Sequence, residues 1–300
     1  MGAALRRGPG LAPNAAILCS ALLWGTLWIP LRGLSEAGAS GAWATVVGFL
    51  LPLAVLLPRA MRDRRRILAG GWQLGIAGLC LAASIALYAE GLVRGQVARV
   101  ILLFYLTPVW STLLARLLLG QPITARRLAT IALGLAGLVV VLGFEAGIPM
   151  PRAAADWMGL AGGVVWAFAM LYVGRTASHP PFDRVFVQFV FLAPVFWLLT
   201  QIPGGGGGVG PEAEAFLRCV PWLLAFAGIW MLPVVWLTIF GASWLDPVRV
   251  AIFLMLEIVV GISTAALLAG EPFGPRELAS AVLILAASGV EITARRRPDS

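Results

Sequence analysis

The chain alternates between long apolar runs and short polar connections. A helix that crosses a bilayer needs about 20 mostly apolar residues. Ten segments approach that length, and the pattern predicts a transmembrane helix in each: Asn14 to Leu31, Ala42 to Leu57, Ala69 to Tyr88, Val97 to Leu119, Leu128 to Phe144, Asp156 to Val173, Val185 to Ile202, Cys219 to Phe240, Val248 to Ala269 and Leu278 to Thr293. The short connections favour antiparallel packing of neighbouring helices. The predicted fold class is an all-α polytopic membrane protein, with one membrane domain over residues 1–300.

One stretch of the chain is written twice. Val97 to Val141 contains a hydrophobic run, a Gly-Gln-Pro turn and a second hydrophobic run, and it recurs without a gap as Pro247 to Glu291. The turn residues and two arginines coincide as well: Gly120-Gln121-Pro122 falls on Gly270-Glu271-Pro272, Arg99 on Arg249 and Arg126 on Arg276. Apolar composition alone does not explain these matches, so the sequence predicts an internal duplication. Its two five-helix repeats cover residues 14–144 and 156–293.

The spacing of the duplication predicts how the two repeats are oriented relative to each other in the membrane. Five helices separate equivalent positions, and because five is odd, the two repeats must cross the membrane in opposite senses. Inverted repeats are typical of secondary transporters, in which a site near the midplane opens alternately to either side. The sequence therefore predicts two inverted five-helix repeats around a central cavity.

Composition and charge place the chain in a membrane. Hydrophobic residues make up 60% of it and charged residues 12%, whereas a soluble domain is about half apolar. The 22 basic residues are all arginines and most lie in short loops, so the net charge of +8 reports orientation rather than nucleic-acid binding. With the N-terminus inside, the outer face keeps only Arg32, Arg94, Arg99, Arg152, Arg218 and Arg276. We therefore expect a multi-pass protein of the bacterial inner membrane, monomer or homodimer, with both termini cytoplasmic.

Glu257 is the most informative single residue, because it lies near the middle of the ninth predicted helix. A carboxylate there is costly in hydrocarbon and marks a site or a proton path by default. Three interpretations stay open: it binds the positive group of a substrate, it exchanges a proton, or it is a structural hydrogen-bond acceptor. The duplicated position is Thr107, followed by Pro108, which either breaks the fourth helix and exposes polar backbone or only bends it.

Aromatic and neutral polar residues complete the candidate site. Trp24 and Trp166 lie deep in predicted spans, and with Tyr88 and Tyr105 they could wall a cavity for an apolar or aromatic solute, although packing alone also explains them. Gln188 is a polar residue within a span, as are Gln73, Ser84, Thr26 and Ser263, where interhelical hydrogen bonding competes with ligand binding. The candidate substrate-binding residues are Trp24, Tyr88, Tyr105, Thr107, Trp166, Gln188 and Glu257, with Pro108 as the helix break.

Catalytic chemistry has little support in the sequence. The one histidine, His179, lies in a cytoplasmic loop, and neither an acidic cluster nor metal-ligand spacing is present. The three cysteines are widely spaced and suggest no disulfide framework. We expect no enzyme activity, metal or cofactor; the expected partners are a small-molecule substrate and the lipid bilayer, with possible proton coupling.

At the duplicated hairpins the sequence resembles the drug/metabolite transporter superfamily, specifically its EamA-type ten-helix members. The resembling residues are Tyr105-Leu106-Thr107-Pro108 before Gly120-Gln121-Pro122, Leu256-Glu257 before Gly270-Glu271-Pro272, and Trp24-Gly25-Thr26 with Arg32-Gly33. Two positions depart from the family pattern: Gln121 replaces a glutamate, and Ile258 replaces a proline, which argues against a helix break there. Trp24, Trp166 and the Tyr-Leu-x-Pro motif are also similar to the aromatic amino-acid exporter branch.

The resemblance implies alternating access and export of small metabolites, commonly amino acids. We therefore expect a secondary transporter that exports a small metabolite, with amino acids, including aromatic ones, as the first class of substrate. Two alternatives remain. The chain could translocate a lipid or a lipid-linked sugar, or it could be a membrane scaffold that transports nothing.

Overall fold

The computed structural model describes residues 12–38, 42–94, 97–142, 151–200, 213–270 and 273–292, and every regular element among them is a helix. The first half contains α1 (Ala12–Gly25), α2 (Trp28–Glu36), α3 (Ala42–Arg62), α4 (Arg64–Ala69), α5 (Gly71–Arg94), α6 (Val97–Phe104), α7 (Thr107–Leu119) and α8 (Ala125–Leu142). The second contains α9 (Ala154–Arg175), α10 (Pro181–Thr200), α11 (Ala213–Ala225), a π-helical turn (Phe226–Met231), α12 (Leu232–Ala242), α13 (Pro247–Leu254), α14 (Leu256–Ala269) and α15 (Pro275–Ile292).

Each of the ten predicted spans coincides with one helix or with consecutive helices in line. Six stretches of the described chain are long and apolar enough to cross a membrane: Ala12–Leu34, Gly71–Gly91, Ala154–Arg175, Pro181–Leu198, Phe216–Ala242 and Pro247–Leu268. The other four predicted spans correspond to α3, α6 with α7, α8 and α15. The predicted ends at Phe144, Ile202 and Thr293 lie outside the described residues. The fold is that of an all-helical polytopic membrane protein.

Two equivalent helices are interrupted at equivalent places. The first interruption, at Tyr105-Leu106, separates α6 from α7 directly before Thr107-Pro108. The second, at Met255, separates α13 from α14 although Ile258 stands in place of a proline, so the expectation drawn from Ile258 is wrong. The backbone there tightens into i to i−3 bonds, from Met255 N to Ile252 O (3.2 Å) and from Ile258 N to Met255 O (3.1 Å). A helix can thus be interrupted without proline when its neighbours pack against the altered backbone.

Those neighbours are the first helices of the opposite repeats. A Cβ added at Gly163 of α9 would lie 2.5 Å from the carbonyl oxygen of Phe104, and one added at Gly25 of α1 would lie 2.6 Å from that of Glu257. Small residues allow such close backbone approach between membrane helices. Each repeat therefore contributes its first helix to the interrupted fourth helix of the other, and the two halves are interlocked around these crossings.

Two ion pairs between the halves show which loops lie on the same side of the helical domain. The Arg66 guanidinium binds both carboxylate oxygens of Asp183, at 2.9 and 2.7 Å, and this hydrogen bonding raises the pKa of Arg66. Arg127 pairs with Asp246 at 3.0 Å. In both cases four predicted spans lie between the paired residues, and an even number of crossings returns the chain to the same side. The pairs therefore support the alternating topology and the inversion of the repeats.

The largest buried core among the described residues contains side chains from both halves of the chain. Phe49 of α3 contacts Phe189 and Phe196 of α10 and Phe226 of the π-helical turn, with ring centroids 5.1–6.5 Å apart. A π-helical turn shifts the register of the side chains that follow it. This aromatic core packs α3 against α10 and the π-helical turn.

Candidate functional site

A cavity lies where the two interrupted helices meet α1, α5 and α9. It is lined by six of the seven residues that the sequence predicts for substrate binding: Trp24, Tyr88, Tyr105, Thr107, Trp166 and Glu257. The space open to the centre of a water-sized sphere is about 50 Å³. Since one water needs roughly 10–15 Å³ by this measure, the cavity has room for a few waters but not for a metabolite of amino-acid size. In this structure the cavity would therefore have to widen to admit such a metabolite.

Tyr105 and Glu257 connect the two repeats inside this cavity. The Tyr105 hydroxyl, at the interruption between α6 and α7, donates a hydrogen bond to Oε1 of Glu257, in the first turn of α14. Removing one member of such a bond leaves the other polar group buried without its partner. The geometry gives Glu257 a donor from the opposite repeat, at the point where the interrupted helices face each other.

Pro108 explains the polar backbone beside the cavity. A proline has no backbone N–H, so the carbonyl of Phe104, four residues earlier, loses its usual helical donor. The Thr107 hydroxyl donates to this carbonyl at 2.5 Å instead. Gly163 approaches the same carbonyl from α9. Thr107 thus satisfies backbone that the proline frees, while it also forms part of the cavity wall.

The remaining lining is apolar or aromatic. Ile85, Phe104, Ala251 and Leu254 complete the wall, and none of them is predicted from the sequence. Phe104 packs centrally, with its ring centroid 4.2 Å from that of Tyr88, 5.6 Å from Tyr105 and 6.5 Å from Trp166. A phenylalanine in an apolar run gives no signal of its own. The only available clue is its position directly before the Tyr-Leu-Thr-Pro motif.

The electrostatics of the cavity favour a positive group. Among the described lining residues there is no arginine or histidine, and Glu257 is the one carboxylate. Aromatic faces also attract cations, through the negative potential over their rings. The arrangement can hold an ammonium group between Glu257 and the rings, or it can take up a proton on Glu257.

Gln188 is the predicted site residue that the main cavity does not include. It lines a second, smaller pocket whose wall also contains Trp24 and Trp166. The Gln188 side chain is 2% exposed, and its amide oxygen has no hydrogen-bond partner. Gln188 is therefore separated from the main cavity by the two tryptophans.

The other neutral polar residues behave differently from one another. Ser84 donates to the carbonyl of Gly162 at 2.7 Å, which is an interhelical bond between α5 and α9. Thr26, at the interruption between α1 and α2, accepts from the indole N–H of Trp230 at 3.1 Å. Trp28 donates to Thr264 at 3.1 Å. These two indole bonds tie the first two helices to the second half of the chain. The bond at Thr26 is of the interhelical kind that the sequence predicts for this residue, whereas the bond from Trp28 to Thr264 is not predicted.

Comparison with known proteins shows which family the chain resembles. The model of the EamA-like transporter family matches the chain twice, at residues 12–143 and 153–290. No curated protein matches the chain. A solved structure described only as the crystal structure of a protein is similar, with a TM-score of 0.72 and 21% identity over 95% of this chain and 99% of that one. This likeness shows a shared fold, and the double match covers both halves, so the chain belongs to the EamA-like transporter family.

Proposed function

We propose that this transporter exports small amphipathic metabolites, with amino acids as the first class of substrate, by alternating access through the cavity at Glu257. One observation carries the proposal: Glu257 lies in an aromatic cavity, bonded to Tyr105 across the junction of the two repeats. In this proposal the ammonium group of the substrate replaces the Tyr105 hydroxyl as partner of the carboxylate. The rings of Tyr88, Phe104 and Trp166 then pack against its apolar or aromatic part.

Alternating access would follow from the way the cavity is assembled. Trp24, Tyr88 and Tyr105 belong to the first half of the chain, whereas Trp166 and Glu257 belong to the second. Movement of one half against the other changes the distance between these walls. The cavity would widen in this way to admit the substrate. The repeats at residues 14–144 and 156–293 are the moving units in this proposal.

Transport is tested by counterflow in proteoliposomes that contain the purified protein. Vesicles are loaded with one unlabelled amino acid or nucleoside at a time, and uptake of the labelled compound is measured against protein-free vesicles. Accumulation of labelled amino acids is expected. Lack of counterflow for every compound would contradict the proposal and favour a membrane scaffold. Scrambling of labelled lipid in the same vesicles would favour a lipid or lipid-linked sugar translocase instead.

Proton coupling is tested at Glu257. If this carboxylate exchanges a proton during transport, Glu257→Gln abolishes proton-driven uptake, because the amide cannot release a proton in the relevant pH range. Glu36→Gln is the matched control, since Glu36 is exposed and its ion pair within the described part of the chain is with Arg32, one turn away. An unchanged pH dependence of uptake in Glu257→Gln would eliminate coupling through this residue and leave facilitated diffusion.

The same proposal places the protein in the bacterial inner membrane as a monomer or homodimer, with both termini in the cytoplasm. The arginine distribution supports this orientation. Fusion of a reporter that is active only in the cytoplasm to the C-terminus should give signal, whereas a periplasmic reporter should stay silent. The opposite result would reverse the orientation without affecting the site.

A further inference from the structure

A second pocket lies behind the main cavity, on the other side of Trp24 and Trp166. Gln188 of α10 and Thr238 of α12 are its polar residues, and Leu81, Val235 and Ile239 supply apolar wall. The two tryptophans line both spaces. The two spaces therefore share these tryptophans as parts of their walls.

The Gln188 amide distinguishes this pocket from ordinary packing. Its side chain is 2% exposed and its amide oxygen lacks a hydrogen-bond partner. The pocket has no room for a water-sized sphere, so a water cannot satisfy the oxygen in this state. Buried polar atoms are nearly always hydrogen-bonded, and one that is not needs an explanation.

The neighbouring hydroxyls do not supply the missing bond. Thr238 donates to the carbonyl of Val234 at 2.7 Å, and its oxygen lies 2.5 Å from that of Ser20. These two residues therefore satisfy each other and the local backbone. The amide oxygen of Gln188 is therefore the polar atom of the pocket that remains able to accept a hydrogen bond.

The wall between the two spaces is built from both halves of the protein. Trp24 is on α1 of the first half and Trp166 is on α9 of the second. When the halves move against each other, the indole rings move with different bodies and the wall between them changes width. If these two rings move apart, the space around Glu257 and the space around Gln188 can become continuous.

We propose that this pocket is a side-chain subsite, in which Gln188 accepts a hydrogen bond from the polar tip of an aromatic substrate, a phenol O–H or an indole N–H. The inference rests on the proposed function: the ammonium group binds at Glu257 and the ring extends past Trp24 and Trp166. Gln188 is then a specificity-determining residue, because a plain phenyl ring reaches the same place without satisfying the amide. A site that hydrogen-bonds a substrate group discriminates against the analogue that lacks it.

The test compares counterflow of tyrosine and phenylalanine in proteoliposomes. The wild type is expected to prefer tyrosine, and Gln188→Met, which keeps the length of the side chain but removes the amide, is expected to lower the tyrosine-to-phenylalanine ratio by roughly fivefold to tenfold. Any loss of phenylalanine transport should be smaller than the loss of tyrosine transport, because phenylalanine makes no hydrogen bond to the amide. Gln73→Met is the matched control, since Gln73 is exposed and outside both cavities, and it should leave the ratio unchanged.

Thermal stability of the same variants separates a binding role from a structural one. Because the amide oxygen has no partner in the protein, Gln188→Met should melt at or above the wild-type temperature. A large loss of stability, or failure to fold, would show a structural role and overturn the subsite. An unchanged ratio with both amino acids transported would also overturn it while the proposed function stands. Absence of all amino-acid counterflow would overturn both.

Discussion

The close contact between Gly163 and the interrupted fourth helix predicts that a larger residue at this position destabilises the protein. Alanine at this position would place a Cβ 2.5 Å from the carbonyl oxygen of Phe104 and 3.1 Å from the Thr107 hydroxyl. Backbone cannot rotate out of the way as the end of a long side chain can. Either α9 must withdraw from α6 and α7, or the interruption between α6 and α7 must deform.

The magnitude follows from two opposing effects. Inserting a methyl group into a packed interior costs about 1–3 kcal/mol. Replacing glycine by alanine inside a helix returns about 1 kcal/mol through helix propensity. The steric cost prevails at Gly163, with a net destabilisation of up to roughly 2 kcal/mol. One kcal/mol shifts the melting temperature by about 2–4 °C in domains of 150–250 residues and by less in a chain of 300, so the melting temperature should fall by up to a few degrees.

Gly174 supplies a control on the same helix. A Cβ added there meets no atom within 4 Å, so Gly174→Ala keeps the gain in helix propensity without the steric cost. Thermal unfolding of the purified protein in detergent should therefore show opposite signs for the two substitutions. Counterflow should also fall in Gly163→Ala, because displacement of the interruption moves Tyr105 away from Glu257.

Equal or higher stability of Gly163→Ala would refute the reasoning. It would show that the contact between α9 and the interrupted helix has space for a methyl group. A stable variant with unimpaired transport would further show that the distance between α9 and the interrupted helix does not position Tyr105. A fall in both Gly163→Ala and Gly174→Ala would point to a general intolerance of α9 to substitution instead of a specific contact.

Two further predictions concern helix starts at the membrane surface. Asp246 accepts from the backbone N–H of Val248 at 2.9 Å and pairs with Arg127, so Asp246→Ala should destabilise by about 1–2 kcal/mol in thermal unfolding; Asp246→Asn keeps a cap and should lose less, and equal losses would contradict a capping role. Glu277, one residue before the tenth predicted span, accepts backbone N–H bonds from its own residue and from Gly274 (2.7 Å), which lower its pKa below the ordinary 4.5. Its stabilisation is present above pH 4.5 and is lost as the pH falls through the lowered pKa. Glu277→Gln should therefore flatten the decline in melting temperature at acid pH, and a parallel decline in both proteins would exclude this contribution.

The order of apolar and polar residues was sufficient to predict the helices, the duplication and most of the cavity lining. Lipid leaves few options for a chain of this composition, because backbone polar groups in hydrocarbon must be satisfied within each helix. The duplication aligned Thr107 with Glu257, and both line one cavity. Deep aromatic positions such as Trp24 and Trp166 were predictable because they stand within apolar runs, away from the interface.

The contacts between these residues depend on how the helices pack and could not be predicted from the chain alone. The interruption at Met255 is not marked by a proline in the sequence. In the structure it lies next to the close approach of Gly25 to the Glu257 carbonyl. The bond from Tyr105 to Glu257 joins residues 152 positions apart, and the separation of Gln188 from the main cavity depends on two indole rings from different halves. Local sequence specifies helices through backbone hydrogen bonds, whereas distances between helices depend on which side chains fill the space between them.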